Sequence, residues 1–269
     1  SEIHIAPDLN PDGHVRGTKE NTKGFDLDRN FEDRFDAGFP LLDRSRGAYT
    51  TLFGDYRVLM PEIEVKEIQR WAQQHRFNLV TIFYGGGYGI TYPYGACRRY
   101  PHLTAGHCPD ALQGGDLLQF LAENFTKTIA YENDVPIDYF LYNLPGGDSF
   151  PIRKGTQCVA DEGAVMLSEL GSHYGTMMDW MHTHLNAVVH QVYVHSDLTP
   201  HPSQLQRTWE QHRGAVYGLI DSIFQGVKGR VVNHDKEGEP IEAVLTITSS
   251  DGAQMYTARS DPATGRYYC

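Results

Sequence analysis

The sequence predicts an α/β body over residues 1–225, followed by the start of a small all-β module over residues 226–269. Three patterns carry that prediction. Three long segments repeat apolar residues at helical spacing, and short apolar runs rich in Val, Ile and Tyr alternate with them. Beyond Gly226 the period drops to two and no helical pattern returns.

The elements follow in order. Glu2 to Ile5 alternates as a strand does and enters the turn-rich loop Pro7-Asp8-Leu9-Asn10-Pro11-Asp12-Gly13, with polar loop continuing through Phe35. Pro61 stands where a helix starts readily, its missing N–H being one of the unpaired donors there, and Val65, Ile68, Trp71 and Ala72 fall on one face. Asn78 to Tyr84 is a short apolar run suited to a buried strand, closed by Gly85-Gly86-Gly87. A second helix is predicted from about Asp116 to Tyr131, with Leu117, Phe120, Leu121 and Ile129 as its apolar stripe. Gln191 to His195 reads as a strand. A third helix runs from about Ser203 to Phe224 with Leu205, Trp209, Val216 and Ile220 inward. In the last segment Val227 to Val232 and Ile241 to Ile247 read as strands, and Asp251-Gly252 as a hairpin turn.

Composition bounds the function. At 269 residues, 40% hydrophobic and 12% aromatic, the chain has the means to bury a sizeable core. Lys plus Arg number 23 against 34 Asp plus Glu, a formal charge of −11, so the chain as a whole repels phosphate backbones and nucleic acid is excluded as the expected partner. No apolar run reaches the length of a membrane span. The chain opens at Ser1 without an initiator Met and stops at Cys269 inside a strand pattern, the expectation being a piece of something longer. Of the four cysteines, Cys97 and Cys108 flank one loop, where a local disulfide and free thiols are both open readings; Cys158 and Cys269 have no evident partner. Asn124-Phe125-Thr126 is an N-glycosylation acceptor triplet, consistent with a secretory chain.

Thirteen histidines invite a search for metal ligands. His182, His184, His190 and His195 cluster between Asp179 and Asp197, but His182 and His184 share a face only in a strand, which residues 179–186 do not resemble. Surface or core roles are expected for them. His234 and Glu237 have the H-x-x-E spacing but sit in a polar link that reads as a solvated turn. The Gly85-Gly86-Gly87 run lacks a P-loop Lys, and neither Ser nor Cys lies in a nucleophile elbow.

Two stretches are more specific. Asn10-Pro11-Asp12-Gly13, followed by Gly24-Phe25-Asp26-Leu27-Asp28-Arg29-Asn30-Phe31, resembles the NPDG and DLNRNF stretches of the zinc metallocarboxypeptidases. Further matches keep the family's order: Pro61-Glu62 before a helix holding Trp71, a strand into Gly85-Gly86, then Tyr92-Pro93-Tyr94, Met178-Asp179-Trp180, Pro200, Leu205 and Trp209. Gly226-Val227-Lys228-Gly229-Arg230-Val231 looks like the join to the transthyretin-like β module of the carboxypeptidase N/E branch, which includes carboxypeptidase D. The resemblance implies a mixed central sheet flanked by helices over 1–225 and a truncated transthyretin-like module over 226–269. It also implies one catalytic zinc in the family, held by H-x-x-E and a later His, with a coordination position left for water.

Carried over residue by residue, the resemblance departs from the family at its most demanding positions. The H-x-x-E belongs upstream of NPDG, before Ser1. Counting back from Tyr92-Pro93-Tyr94 puts Tyr84 at the third zinc ligand, and a neutral phenol is a poor substitute for imidazole. Counting from Asp179, and again from Pro200, Leu205 and Trp209, puts Tyr193 at the general-base Glu. The Asn-Arg pair that grips a substrate carboxylate becomes Asp28-Arg29, and the Arg that polarises the scissile carbonyl becomes Lys19. Asp28 is expected to pair with Arg29. The expectation is a non-catalytic domain without bound zinc, similar to an inactive repeat of a secretory or membrane-anchored carboxypeptidase, with peptide or protein C-termini as candidate partners of Arg29. The alternative is an active zinc carboxypeptidase that removes C-terminal residues, with His190 or His195 supplying the missing chemistry, since residues 193 and 195 share a strand face.

Overall fold

A computed structural model describes residues 2–32, 61–95, 115–134, 164–169, 173, 175–236, 238–248 and 255–268. Cys97, Cys108, Cys158, Cys269, Glu237 and the Asp251-Gly252 turn lie outside them.

The body is built on a four-stranded mixed sheet. Strands β1 (Leu79–Tyr84), β2 (Gly87–Tyr92), β3 (Ala164–Met166) and β4 (Val188–His195) lie in the order β1-β4-β2-β3. β4 runs parallel to β1 and antiparallel to β2, while β2 and β3 are parallel. β1 and β4 were legible as apolar runs. β2 was hidden by Gly87 and Gly89, which dilute its alternation, and β3 is only three residues long. The tight β1–β2 connection needs glycine: Gly86 takes φ +89° and its N–H donates to the carbonyls of His195 and Asp197.

Helices cover both faces. Helix α1 (Pro11–Arg16) is a short turn of the N-terminal loop, capped by Asn10, whose Oδ1 accepts from the Gly13 N–H. Helix α2 (Ile63–His75) buries Val65, Ile68 and Ala72, while Trp71 packs with His4, His75 and Phe77 in a cluster of ring edges. Helix α3 (Gly115–Asn133) buries Leu118, Leu121, Ala122, Phe125 and Ile129. The expected stripe is corrected at Phe120, which is 56% exposed: at 100° per residue it points away from the face defined by Leu118, Ala122 and Phe125.

Helix α4 (Met177–Leu185) had no expected counterpart. Its signal was Thr176 three residues before Asp179, a cap pattern, and the Thr176 hydroxyl does accept from the Asp179 N–H. Helix α5 (Pro202–Ser222) starts with proline at its first position and a reciprocal cap between His201 and Gln204. Its inward residues are His212, Ala215 and Leu219, with Val216 beside them. Leu205 and Trp209, expected inward, are 50% and 44% exposed, so the buried stripe is rotated from the one the sequence predicts.

The sheet thus separates two apolar layers. Ile90, Tyr92 and Val192 face α3 and α5, while Ile82 and Val189 face α2, α4, Leu27 and Phe31. Beyond residue 226 the described residues form strands and no helix. β5 (Lys228–Arg230) pairs antiparallel with β8 (Arg266–Tyr268), and β6 (Val244–Thr248) with β7 (Met255–Arg259). This segment touches the body through two helix C-caps of positive φ. Arg76, ending α2 at φ 49°, forms an ion pair with Glu242 at 2.8 Å, and Asn186, ending α4 at φ 58°, donates from its side-chain amide to the Thr257 carbonyl.

Candidate functional site

The N-terminal loop carries Asp28 and Arg29 to the sheet. The chain from Glu20 to Asp26 closes on itself through an isolated antiparallel bridge, and a single 3₁₀ turn, Leu27–Arg29, follows with Asp26 as its cap. Leu27 and Phe31 are buried on the α2–α4 side of the sheet, and the Phe31 N–H donates to the Gly175 carbonyl. Anchoring both ends of the turn in this way drives Asp28 inward and leaves Arg29 at the rim.

Tyr84 and Tyr193 are direct neighbours. They occupy the same rung of the parallel β1–β4 pair, at its carboxyl end, where open α/β sheets place their ligands. Their ring centroids are 5.7 Å apart at 32°. The two positions taken from independent anchors in the sequence therefore do converge.

What they converge on is a carboxylate. Asp28 Oδ1 accepts from the Met177 N–H at 3.0 Å, Oδ2 accepts from the Gln191 amide at 3.2 Å, and the Tyr84 phenol is also hydrogen-bonded to Asp28. Gln191 Oε1 in turn accepts from the Thr91 hydroxyl at 3.4 Å, and Thr91 is hydrogen-bonded to Tyr193. Thr91 donates to Gln191, and Gln191 and Tyr84 donate to Asp28, which makes Asp28 the terminal acceptor. Gln191 and Thr91, both fully buried, were missed in the sequence because an amide and a hydroxyl inside apolar strands carry no spacing signal.

Burial sets the electrostatics. Desolvation, reinforced by the negative charge of Asp26, pushes Asp28 up to about 7 against the pull of the Met177 N–H, Tyr84 and Arg29. Tyr84 is pushed well above the ordinary phenol range by burial and then by the Asp28 charge, and Tyr193 is raised for the same two reasons. Neither phenol is poised to ionise.

At the rim the expected Asp28–Arg29 pair is corrected. Arg29 Nε lies 3.7 Å from Asp26 Oδ2, because the inward Asp28 is already taken by neutral donors. Burial raises Asp26, and the charges of Arg29 and of exposed Lys19 pull it back, so Lys19 and Arg29 flank one carboxylate. Glu20 acts on the same carboxylate in the opposite sense, so the rim sets Lys19 and Arg29 against Asp26 and Glu20.

The other candidate histidines among the described residues do not join this cluster. His190 is fully buried on the α3 side, its Nε2 at 2.9 Å from the Leu118 carbonyl, and burial pushes it down to about 4. His195 was the nearest alternative ligand. Its ring instead lies 6.1 Å from Tyr88 and acts electrostatically on His212 of α5, and its Nδ1 accepts from the Asp197 N–H. His182 and His184 bond backbone carbonyls of Ala187 and Trp180, and His234 is exposed. Among the described residues no three His, Cys, Asp or Glu side chains converge as a metal site. The donors at Tyr84 do not fit the third position of a zinc centre: the phenol is held neutral and its proton is committed to Asp28.

Comparison with known proteins places the chain. The family model for zinc carboxypeptidases matches residues 1–215. Carboxypeptidase SOL1 of Arabidopsis thaliana is 26% identical over 250 residues, covering 91% of this chain and 41% of the relative. The carboxypeptidase N catalytic chain of Mus musculus is 25% identical over 269 residues, covering 92% and 53%, and carboxypeptidase D of Rattus norvegicus is 25% identical over 258 residues, covering 92% and 16%. The chain thus spans about half or less of the length of these relatives. Carboxypeptidase A from Helicoverpa armigera aligns in three dimensions with a TM-score of 0.49 at 14% identity, covering 80% of this chain and 50% of that one. With most of its length matched by that family model, and with the NPDG loop and the 3₁₀ turn at Asp28 brought to the carboxyl edge of the sheet, the chain belongs to the zinc carboxypeptidase family.

Proposed function

We propose that this domain binds peptide or protein C-termini without cleaving them, as a non-catalytic repeat of a larger secretory protein. The observation that carries the reading is the rung shared by Tyr84 and Tyr193, whose phenols are committed to Asp28 and Thr91. Hydrolysis in this family takes a metal to generate a nucleophile from water and a base to move its proton. Tyr84 and Tyr193 offer neither at neutral pH, since both are held protonated.

Binding survives that loss. Arg29, only partly offset by Asp26, presents donors that suit a terminal carboxylate, and Lys19 adds a second cation beside it. The strands after residue 226 suit the transthyretin-like module of the same branch.

The test uses a peptide series in two forms, free acid and C-terminal amide, followed by fluorescence anisotropy and by mass spectrometry after long incubation with zinc. The free acid is expected to bind and the amide not. Arg29→Ala is expected to weaken acid binding about 10- to 100-fold, the worth of a charge-assisted hydrogen bond, and no shortened peptide is expected. Equal binding of acid and amide would remove the C-terminus from the reading. The relatives' names favour a second reading, an active zinc carboxypeptidase, and a peptide shortened by one residue together with about one zinc per chain would establish it.

A further inference from the structure

One exposed face of α3 carries two aromatic rings, with Asn124 and Lys127 between them. Phe120 is 56% exposed and Tyr131 is 89% exposed, while Leu118, Ala122, Phe125 and Ile129 of the same helix are buried. A single exposed aromatic is ordinary on a protein surface, but two on one helix face give the polar residues between them apolar surroundings. Phe120, Asn124 and Tyr131 lie four and seven residues apart, hence within roughly 40° of one another around the helix, and Asn124 stands between the rings at about 6 Å and 10 Å along the axis. Asn124 is exposed, and its side-chain amide takes no partner among the described residues. It also opens Asn124-Phe125-Thr126, and no other Asn-x-Ser/Thr triplet occurs in the 269 residues.

We infer that Asn124 carries an N-linked glycan whose first sugars lie over Phe120 and Tyr131. The transfer takes a lipid diphosphate-linked oligosaccharide as donor. Asn124 Nδ2 attacks the anomeric carbon, a C–N bond forms, the C–O bond to phosphate breaks, the lipid diphosphate leaves with the electron pair, and the amide nitrogen gives up one proton. The apolar CH faces of the sugar then rest on the aromatic rings, which lowers the cost of exposing them.

The structure also dates the event. Thr126 is completely buried, and its hydroxyl donates within the helix to the Glu123 carbonyl at 3.0 Å, so the triplet's hydroxyl is out of reach once α3 has formed. The glycan is added before the helix folds and packs.

The experiment expresses the chain behind a secretion leader in a eukaryotic host and reads intact mass, in medium and lysate, before and after peptide:N-glycosidase. The expected result is one glycan per chain, with Asn124 converted to Asp on enzymatic release. Asn124→Gln removes it, Thr126→Val removes it, and Thr126→Ser keeps it. Because Asn124 is exposed, its variant keeps the fold even if the buried Thr126→Val does not. Binding of an apolar dye is expected to rise about twofold or more on deglycosylation and to return to baseline in Phe120→Ser/Tyr131→Ser. A translocated chain with no added mass would overturn the site. A glycan whose removal leaves dye binding unchanged would overturn its placement over the rings.

Discussion

At the scale of the residue, Asp28 governs the site. It is the terminal acceptor of a chain of hydrogen bonds, yet burial holds its folded value near 7, above the ordinary 3.8 of an unfolded aspartate. A raised acid binds more protons folded than unfolded, so its contribution to stability is present below about pH 4 and is lost as pH rises through about 7. Asp28→Asn is expected to flatten that part of the profile. Melting temperatures of both proteins at intervals from about pH 4 to about pH 9 will check it: the wild-type curve should fall relative to the variant as pH rises through about 7 and run parallel beyond about pH 8. Tyr84→His, by contrast, puts an imidazole where the phenol donated, and it is expected to leave zinc uptake unrestored in this chain, because no second and third donors converge among the described residues. Elemental analysis after dialysis reads the outcome. These residues were only partly legible. Asp28, Arg29, Tyr84 and Tyr193 could be found by counting from fixed landmarks, whereas Gln191 and Thr91 became visible only when β2 and β4 were paired, since cross-strand partnership is not written in either strand alone.

At the scale of the element, legibility followed length and contrast. α2, α3, α5, β1 and β4 are long enough for a period to register, but the face was misjudged twice, at Phe120 and at Leu205 and Trp209. In both helices apolar residues are plentiful on more than one side, so period alone does not choose the stripe that docks. The distinction can be measured. Leu219→Ala, in the α3–α5 core, is expected to cost about 2–5 kcal/mol, while Leu205→Ala should cost about 1 kcal/mol or less; urea denaturation separates the two. α4 escaped notice because its sequence is rich in Met and His, with its strongest signal in the cap. Removing that cap with Thr176→Ala is expected to cost about 1–2 kcal/mol, with Thr176→Ser near neutral.

At the scale of the whole molecule, the body and the β strands after residue 226 meet where α2 and α4 end. The Arg76–Glu242 pair is partly exposed and worth under about 1 kcal/mol, and the Asn186–Thr257 bond about 1 kcal/mol. Arg76→Ala with Asn186→Gly, the glycine keeping the left-handed cap, is expected to raise the rate of limited proteolysis near Gly226 about tenfold, with each single variant giving a fraction of that. The two ties together have a mechanical consequence. A body held at one point swivels, whereas a body held at two separate points can only rock about the line joining them. The chain itself, passing through residues 223–227, supplies a third tie. A pull on the β strands therefore arrives first at the C-terminal ends of α2 and α4, the two helices packed on the Asp28 side of the sheet, and not at the strands themselves.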